Sequence, residues 1–156
     1  MDMDETDLGL LDALQQDASQ SNQALAERFR ISPPTCLRRV RRLRESGWIE
    51  SEVAILDASR VAPLLTAIVE VSLDRQDASA LDAFEQRAVA EDAVQQCYRV
   101  SPGPDFVLVV ALRDMPLYHA LAQRLFTNDA NVRNVKAFFS IKRAKFSPRV
   151  PLPGRG

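Results

Sequence analysis

"RISPPTCLRRVRRLRESGWI", residues 30–49, decides how this chain is read. It sets six arginines and no acid between positions 30 and 44 of a protein with a formal net charge of −1. Ser32 followed by Pro33 predicts a helix N-cap and a first helical residue. The hydroxyl can accept a free backbone N–H, and proline has no N–H to leave unpaired. Gly47 is a natural stop. Winding residues 34–44 at about 100° per residue gathers Leu37, Val40 and Leu43 on one face, with Cys36 among them. Thr35, Arg38 and Arg42 take the opposite direction, flanked by Arg39 and Arg41. The guanidinium groups are therefore expected to project outward to a partner, not inward against carboxylates of the same chain. Arg44, nearer the core edge, is expected to pair with a local acid.

Working back from this helix, "SNQALAERF" predicts a second helix capped by Ser21. Leu25 and Phe29 lie on one side of it, and Ala26 is small enough for a neighbour to approach closely. "TDLGLLDALQQDA" predicts a first helix with Leu8, Leu11 and Leu14 on one face and Thr6 or Asp7 as N-cap. Three short helices with a tight turn before the third outline a helix-turn-helix. A helix about 12 Å across fits the major groove of B-DNA, where arginine makes bidentate contacts with guanine. Thr35 and Arg38, near the helix N-terminus, are expected at base edges, with Ser32 and Pro34 at the same entry point. Arg39, Arg41 and Arg42 are expected at phosphates, which supply affinity without sequence information.

Downstream the period changes. "WIESEVAILD" reads as extended, and residues 57–65 have no firm period and are expected to form a hinge. "TAIVEVSLD" alternates Ala67, Val69, Val71 and Leu73 with polar residues, as a half-buried strand does. A helix with Leu81, Phe84 and Ala88 on one side follows, then the strand "VQQCYRV", the turn "SPGPD" and the apolar strand "FVLVVAL". A helix through Leu117, Leu121 and Leu125 precedes the last strand, "VRNVKAFFSIK". The order β-α-β-β-α-β is the ferredoxin-like arrangement. The expected plan is α+β: a winged helix-turn-helix over 1–52, a linker over 53–65, a ferredoxin-like sensor domain over 66–146 and a flexible tail over 147–156.

Charge is segregated along this plan. Seven arginines and no acid lie between Arg28 and Arg44, and seven basic residues and no acid from Arg133 onward. Between Glu45 and Val132 there are fourteen acids and six bases. Such asymmetry fits a polyanion held at two regions of an otherwise repelling body. One histidine and two isolated cysteines, Cys36 and Cys97, leave no set of zinc ligands. No cofactor or metal is expected. No apolar run approaches the roughly 20 residues of a membrane span, and "MDMDETD" is unlike a signal peptide. A cytoplasmic location is expected.

Residues 31–50, "ISPPTCLRRVRRLRESGWIE", resemble the Leu-Ser-Pro-x-x-Cys-x-x-Arg-Val-x-x-Leu-x-x-x-Gly-x-Ile signature of the leucine-responsive/asparagine-operon (Lrp/AsnC) family of transcription regulators. Ser32, Pro33, Cys36, Arg39, Val40, Leu43 and Gly47 carry the match. "DLGLLDALQQDASQSNQALAERF" and "AIVEVSL…ALDAFE…DFVLVVALRD" extend it over nearly the whole chain. The resemblance implies a sequence-specific regulator of double-stranded DNA. It also implies homodimers formed through the sensor domain, tetramers or octamers built from them, and amino-acid effectors held between dimers.

Three departures from the family pattern bear on function. Arg30 stands where the turn usually has glycine, and a left-handed non-glycine there costs on the order of 1 kcal/mol. Ser-Pro-x-Pro becomes Ser32-Pro33-Pro34-Thr35. In the sensor, the family's Gly-Asp-x-Asp turn reads Pro102-Gly103-Pro104-Asp105, and two hydroxyls on the last strand become Val135 and Ala137. The expected effector set is thus Ser101, Gly103, Asp105, Val135 and Ala137. It is expected to bind amino acids weakly or not at all, and to take a more apolar effector or none. Two other readings are an enzyme like the haem-pathway decarboxylases of similar architecture, using His119, and a sensor or adaptor that does not bind DNA.

Overall fold

Both ends of the chain build one unit. In the computed structural model, which describes residues 3–154, a helical unit runs to Ile55 and is completed by the segment from Lys145 onward. A sheet unit spans Leu56–Ala144. Met1, Asp2 and Arg155, parts of the acidic start and the basic end, lie outside the described residues.

The helical unit holds α1 (Glu5–Gln16), α2 (Asn22–Phe29) and α3 (Pro33–Glu45). Asp4 caps α1, two or three residues earlier than expected. Its carboxylate accepts the Asp7 amide at 2.8 Å, while the Asp7 carboxylate accepts the Asp4 amide at 3.3 Å. That reciprocal pairing is a capping box, and it outcompetes Thr6 or Asp7 as the first residue. Ser21 and Ser32 cap α2 and α3 as expected. Leu10, Leu14, Leu25, Ala26, Cys36, Val40 and Leu43 form the core. Leu8 is only half-buried, because the inward stripe of α1 runs through Leu10, Leu11 and Leu14.

Arg30 adopts the left-handed conformation at φ 54°, as the glycine comparison anticipates, and Gly47 ends α3 at φ 76°. Residues 48–56 carry no helix or paired strand, so the wing is a run of irregular backbone. The expected hinge contains a single helical turn, α4 (Ala58–Val61), capped by Asp57.

In the sheet unit, β1 (Leu65–Leu73), β2 (Val94–Arg99), β3 (Phe106–Leu112) and β4 (Val132–Phe139) form an antiparallel sheet in the order β2-β3-β1-β4. Helices α5 (Ala78–Val89) and α6 (Met115–Ala122) supply the crossovers, which gives the expected βαββαβ order. Val69, Val71, Phe106 and Leu108 are fully buried with Phe84, Ala88 and Leu121. Leu117 is 44% exposed, because Tyr118 and Leu121 take the inward face of α6. At its C-terminus α6 widens into a π-helical turn, Gln123–Thr127, which buries Leu125 and Phe126.

Residues 147–154, the described part of the tail expected to be flexible over 147–156, are tied down. Leu152 packs on the helical core, and Arg149 and Val150 bond to α1.

Candidate nucleic-acid interface and effector cleft

The outward face of α3 is set by what lies opposite it. Cys36, Val40 and Leu43 are buried, whereas Leu37 is 57% exposed. Dropping Leu37 from the core stripe turns the outward direction by about 20°. Pro34, Leu37, Arg38 and Arg41 then share the open face, and all four are exposed. The stripe at 36, 40 and 43 is sufficient to pack the helix, and that spacing was the signal for an exposed Leu37.

The same rotation carries Arg39 toward α1. Its Nη1 donates to Asp4 at 2.7 Å and to Asp7 at 2.9 Å. Arg42 Nη2 donates to the second oxygen of Asp7 at 2.8 Å. Asp7 is 1% exposed, so one buried carboxylate bridges two arginines one turn apart on α3. The amide of Asp7 and the guanidinium of Arg39 hold the Asp4 carboxyl below its usual range. The expectation that all these guanidinium groups point outward fails for Arg39 and in part for Arg42. Arg39 fastens α3 to α1, and its side chain is only 24% exposed. Arg42 uses one nitrogen on Asp7 and stays open to solvent.

Arg41 makes an i,i+4 pair with Glu45, but both are largely exposed, so solvent screens the pair and leaves Arg41 available to another partner. Arg44 pairs with Glu52 at 2.8 Å, the local acid expected for it. Arg38 has no ion pair among the described residues. At the helix start, Ser32 Oγ accepts the Thr35 amide at 3.3 Å and donates to Thr35 Oγ1 at 2.8 Å. Both hydroxyls are thus engaged in the cap, at the entrance to the open face.

The sensor residues divide. Ser101, Gly103 and Asp105 lie on the β2–β3 turn, and Val135 and Ala137 lie on β4. The amide of Asp105 donates to the Val71 carbonyl at 2.9 Å. Val71 is paired with Val135 in the next strand, so the two groups flank β1 about two strand spacings apart, roughly 10 Å. The Asp105 carboxylate is already used within the fold. Its Oδ2 accepts the Leu73 amide at 2.7 Å and the Gln76 side chain at 3.3 Å. A cleft of about 290 Å³ opens instead between the π-helical turn and β4. Tyr118, Phe126 and Val135 line it with Thr127, Asp129 and Arg133. Of the expected effector residues only Val135 lies in it. Asp129 is paired with Arg87, whereas Arg133 is exposed and has no ion pair among the described residues. The cleft was not legible beforehand, because a π-helical turn has no sequence period of its own.

The Lrp/AsnC ligand-binding domain model matches residues 66–150, and a winged helix-turn-helix DNA-binding model matches residues 3–50. The chain belongs to the Lrp/AsnC family. It is 35% identical over 143 residues to an uncharacterised HTH-type transcriptional regulator of Haemophilus influenzae, covering 92% of this chain and 85% of that one. It is 33% identical to the leucine-responsive regulatory protein of Rhizobium meliloti, covering 97% of each. A transcriptional regulator from Neisseria meningitidis, solved as a complex with L-methionine, superposes with a TM-score of 0.87 at 26% identity, over 97% of this chain and 98% of that one. This Lrp/AsnC protein is accordingly a helix-turn-helix transcription regulator with an effector-binding domain, and not an enzyme. His119 is an exposed residue of α6 whose ring lies edge-on to Tyr118. No described helix is long and apolar enough to cross a membrane.

Proposed function

We propose that α3 enters the major groove of double-stranded DNA with Arg38 at a base edge and Leu37 against a thymine methyl or sugar. Arg41 and the free nitrogens of Arg42 contact phosphates. Ser32, Pro34 and Thr35 fix the helix start against the backbone. One observation carries this reading: Arg38 is exposed near the N-terminal end of a braced helix, with no carboxylate paired to it among the described residues. Guanine O6 and N7 supply the planar acceptor pair that a guanidinium fits. Arg39 acts on DNA only by holding the helix in place.

The regulator works in the cytoplasm beside its DNA target, as a homodimer joined through the open face of its sheet. Ile68 and Phe138 are adjacent there, with Tyr98 nearby, and all three are exposed. A two-fold dimer sets two α3 helices on half-sites one helical turn apart, or a multiple of it. Assembly to tetramers or octamers follows the family pattern.

The effector bound in the cleft beside β4 is a small molecule with an apolar body and an anionic end facing Arg133. A free amino acid also brings an ammonium group, but Asp129 of the cleft is already paired with Arg87, and Asp105, outside the cleft, is used within the fold. Leaving that charge unpartnered costs several kcal/mol. Short apolar carboxylates are therefore expected to raise the unfolding temperature more than amino acids do, and Arg133→Ala to remove that rise. Micromolar amino-acid binding abolished by Asp105→Ala would refute this assignment. For DNA, mobility shifts on selected genomic fragments at several salt concentrations give the test. Arg41→Ala should lower the salt slope by about one unit on all sequences alike. An unchanged slope and footprint in both Arg38→Ala and Arg41→Ala would reject the interface.

A further inference from the structure

We infer that α1 carries a docking site for an extended Arg-Val-Pro-Leu segment, and that the chain's own C-terminal residues 149–152 occupy it as a releasable strap on the DNA-binding unit. Four contacts define the site. Arg149 Nη2 donates to Asp12 Oδ1 at 2.8 Å. The Gln15 side chain pairs with the Val150 backbone in both directions, donating to its carbonyl at 3.0 Å and accepting its amide at 2.9 Å. Leu152 packs on the helical core.

This arrangement reads its occupant. A side-chain amide that matches both backbone groups of one residue requires an extended chain, as at a sheet edge. Asp12, 13% exposed and held by the Gln15 and Gln16 side chains, presents a carboxylate that favours a cation one residue earlier. The apolar core accepts a leucine two residues later. Pro148, Pro151 and Pro153 hold the segment near an extended conformation and lower the entropy lost on docking. Nothing in a helix-turn-helix requires such a partner for α1.

The strap also has a position of consequence. It lies on the helix whose N-terminal Asp4 and Asp7 hold Arg39 and Arg42 of α3. Because the helical unit is built from both chain ends, the sheet unit is tethered to it twice, once through residue 55 and once through residue 145. The second tether ends in contacts that charge and two hydrogen bonds can make or release. A strap of this kind lets the sensor unit act on the stability of the DNA-binding unit.

Charge exchange in the full-length protein tests the inference, with Trp48, the single tryptophan, reporting on the helical unit. Asp12→Lys and Arg149→Glu should each lower the Trp48-detected midpoint by about 4 °C and weaken DNA binding several-fold. In Asp12→Lys, trypsin should cut after Arg149 several-fold faster than in the native chain. The double variant should recover both the midpoint and the affinity. Unchanged midpoints in both single variants with native-rate cleavage after Arg149 in Asp12→Lys, or a double variant no better than either single, would overturn the strap. Mixing the two single variants separates sources of the segment. No recovery on mixing is expected for a strap supplied by the same chain. Recovery would overturn that assignment and give the segment to a second copy.

Discussion

Removing the carboxylate of Asp7 should loosen α3 more than any change on the open face of that helix. Asp7→Ala deletes the acceptor for Arg39 Nη1 at 2.9 Å, for Arg42 Nη2 at 2.8 Å and for the Asp4 amide at 3.3 Å. Breaking a wholly buried ion pair from one side costs about 3–5 kcal/mol. Here the two arginines retain 24% and 45% side-chain exposure, and Arg39 keeps Asp4, so part of that loss returns as hydration. The expected loss is about 2 kcal/mol for alanine and about 1 for asparagine, which keeps the shape and one acceptor. In a small unit 2 kcal/mol corresponds to a fall of roughly 10 °C in midpoint. Trp48 fluorescence in heat or urea reads this unit, and a double-mutant cycle with Arg39→Met isolates the pair. A loss under about 0.5 kcal/mol, or no coupling in the cycle, would show that the bridge does not hold the helix.

Other outcomes follow from the same geometry. Arg30→Gly should stabilise the helical unit by about 0.5 kcal/mol, since relief of the left-handed strain exceeds the entropy glycine adds to the unfolded chain; a Trp48 urea titration decides it. Gly47→Ala should do the reverse by about 1 kcal/mol, because its φ of 76° is strained for any Cβ even though space around it is open. Acid should weaken the same unit. The Asp4 carboxyl is held below its ordinary value of 3.8, so the unfolded chain binds its proton first. Its contribution is complete above about pH 4–5 and is lost as the pH falls through the folded value. Asp4→Asn should flatten the midpoint–pH curve between pH 5 and 3.

Much of this was readable from residue types. Ser32-Pro33 and Gly47 marked both ends of α3 because caps are local chemistry. The alternation in β1 marked a strand with one covered face. Arg39 was misread because a helical wheel assigns angles but not the depth of a neighbour, and Asp7 is brought to it by a capping box 32 residues away in the chain. Leu37 was misread because four apolar positions competed for a stripe that three fill. The tail was misread because proline and glycine report a lack of helix, not a lack of contacts. Its partners Asp12 and Gln15 lie at the other end of the chain.

In the proposed interface Arg38 reads sequence from a helix that Arg39 only braces. The most direct test measures affinities of native, Arg38→Ala and Arg39→Lys proteins for a selected operator and a scrambled duplex at one salt concentration. Arg38→Ala should lower the operator-to-scrambled ratio by about 10-fold or more with non-specific affinity nearly kept. Arg39→Lys should lower thermal stability and leave the ratio in place. An unchanged ratio in Arg38→Ala, with the loss appearing in Arg39→Lys instead, would reverse the roles of the two arginines.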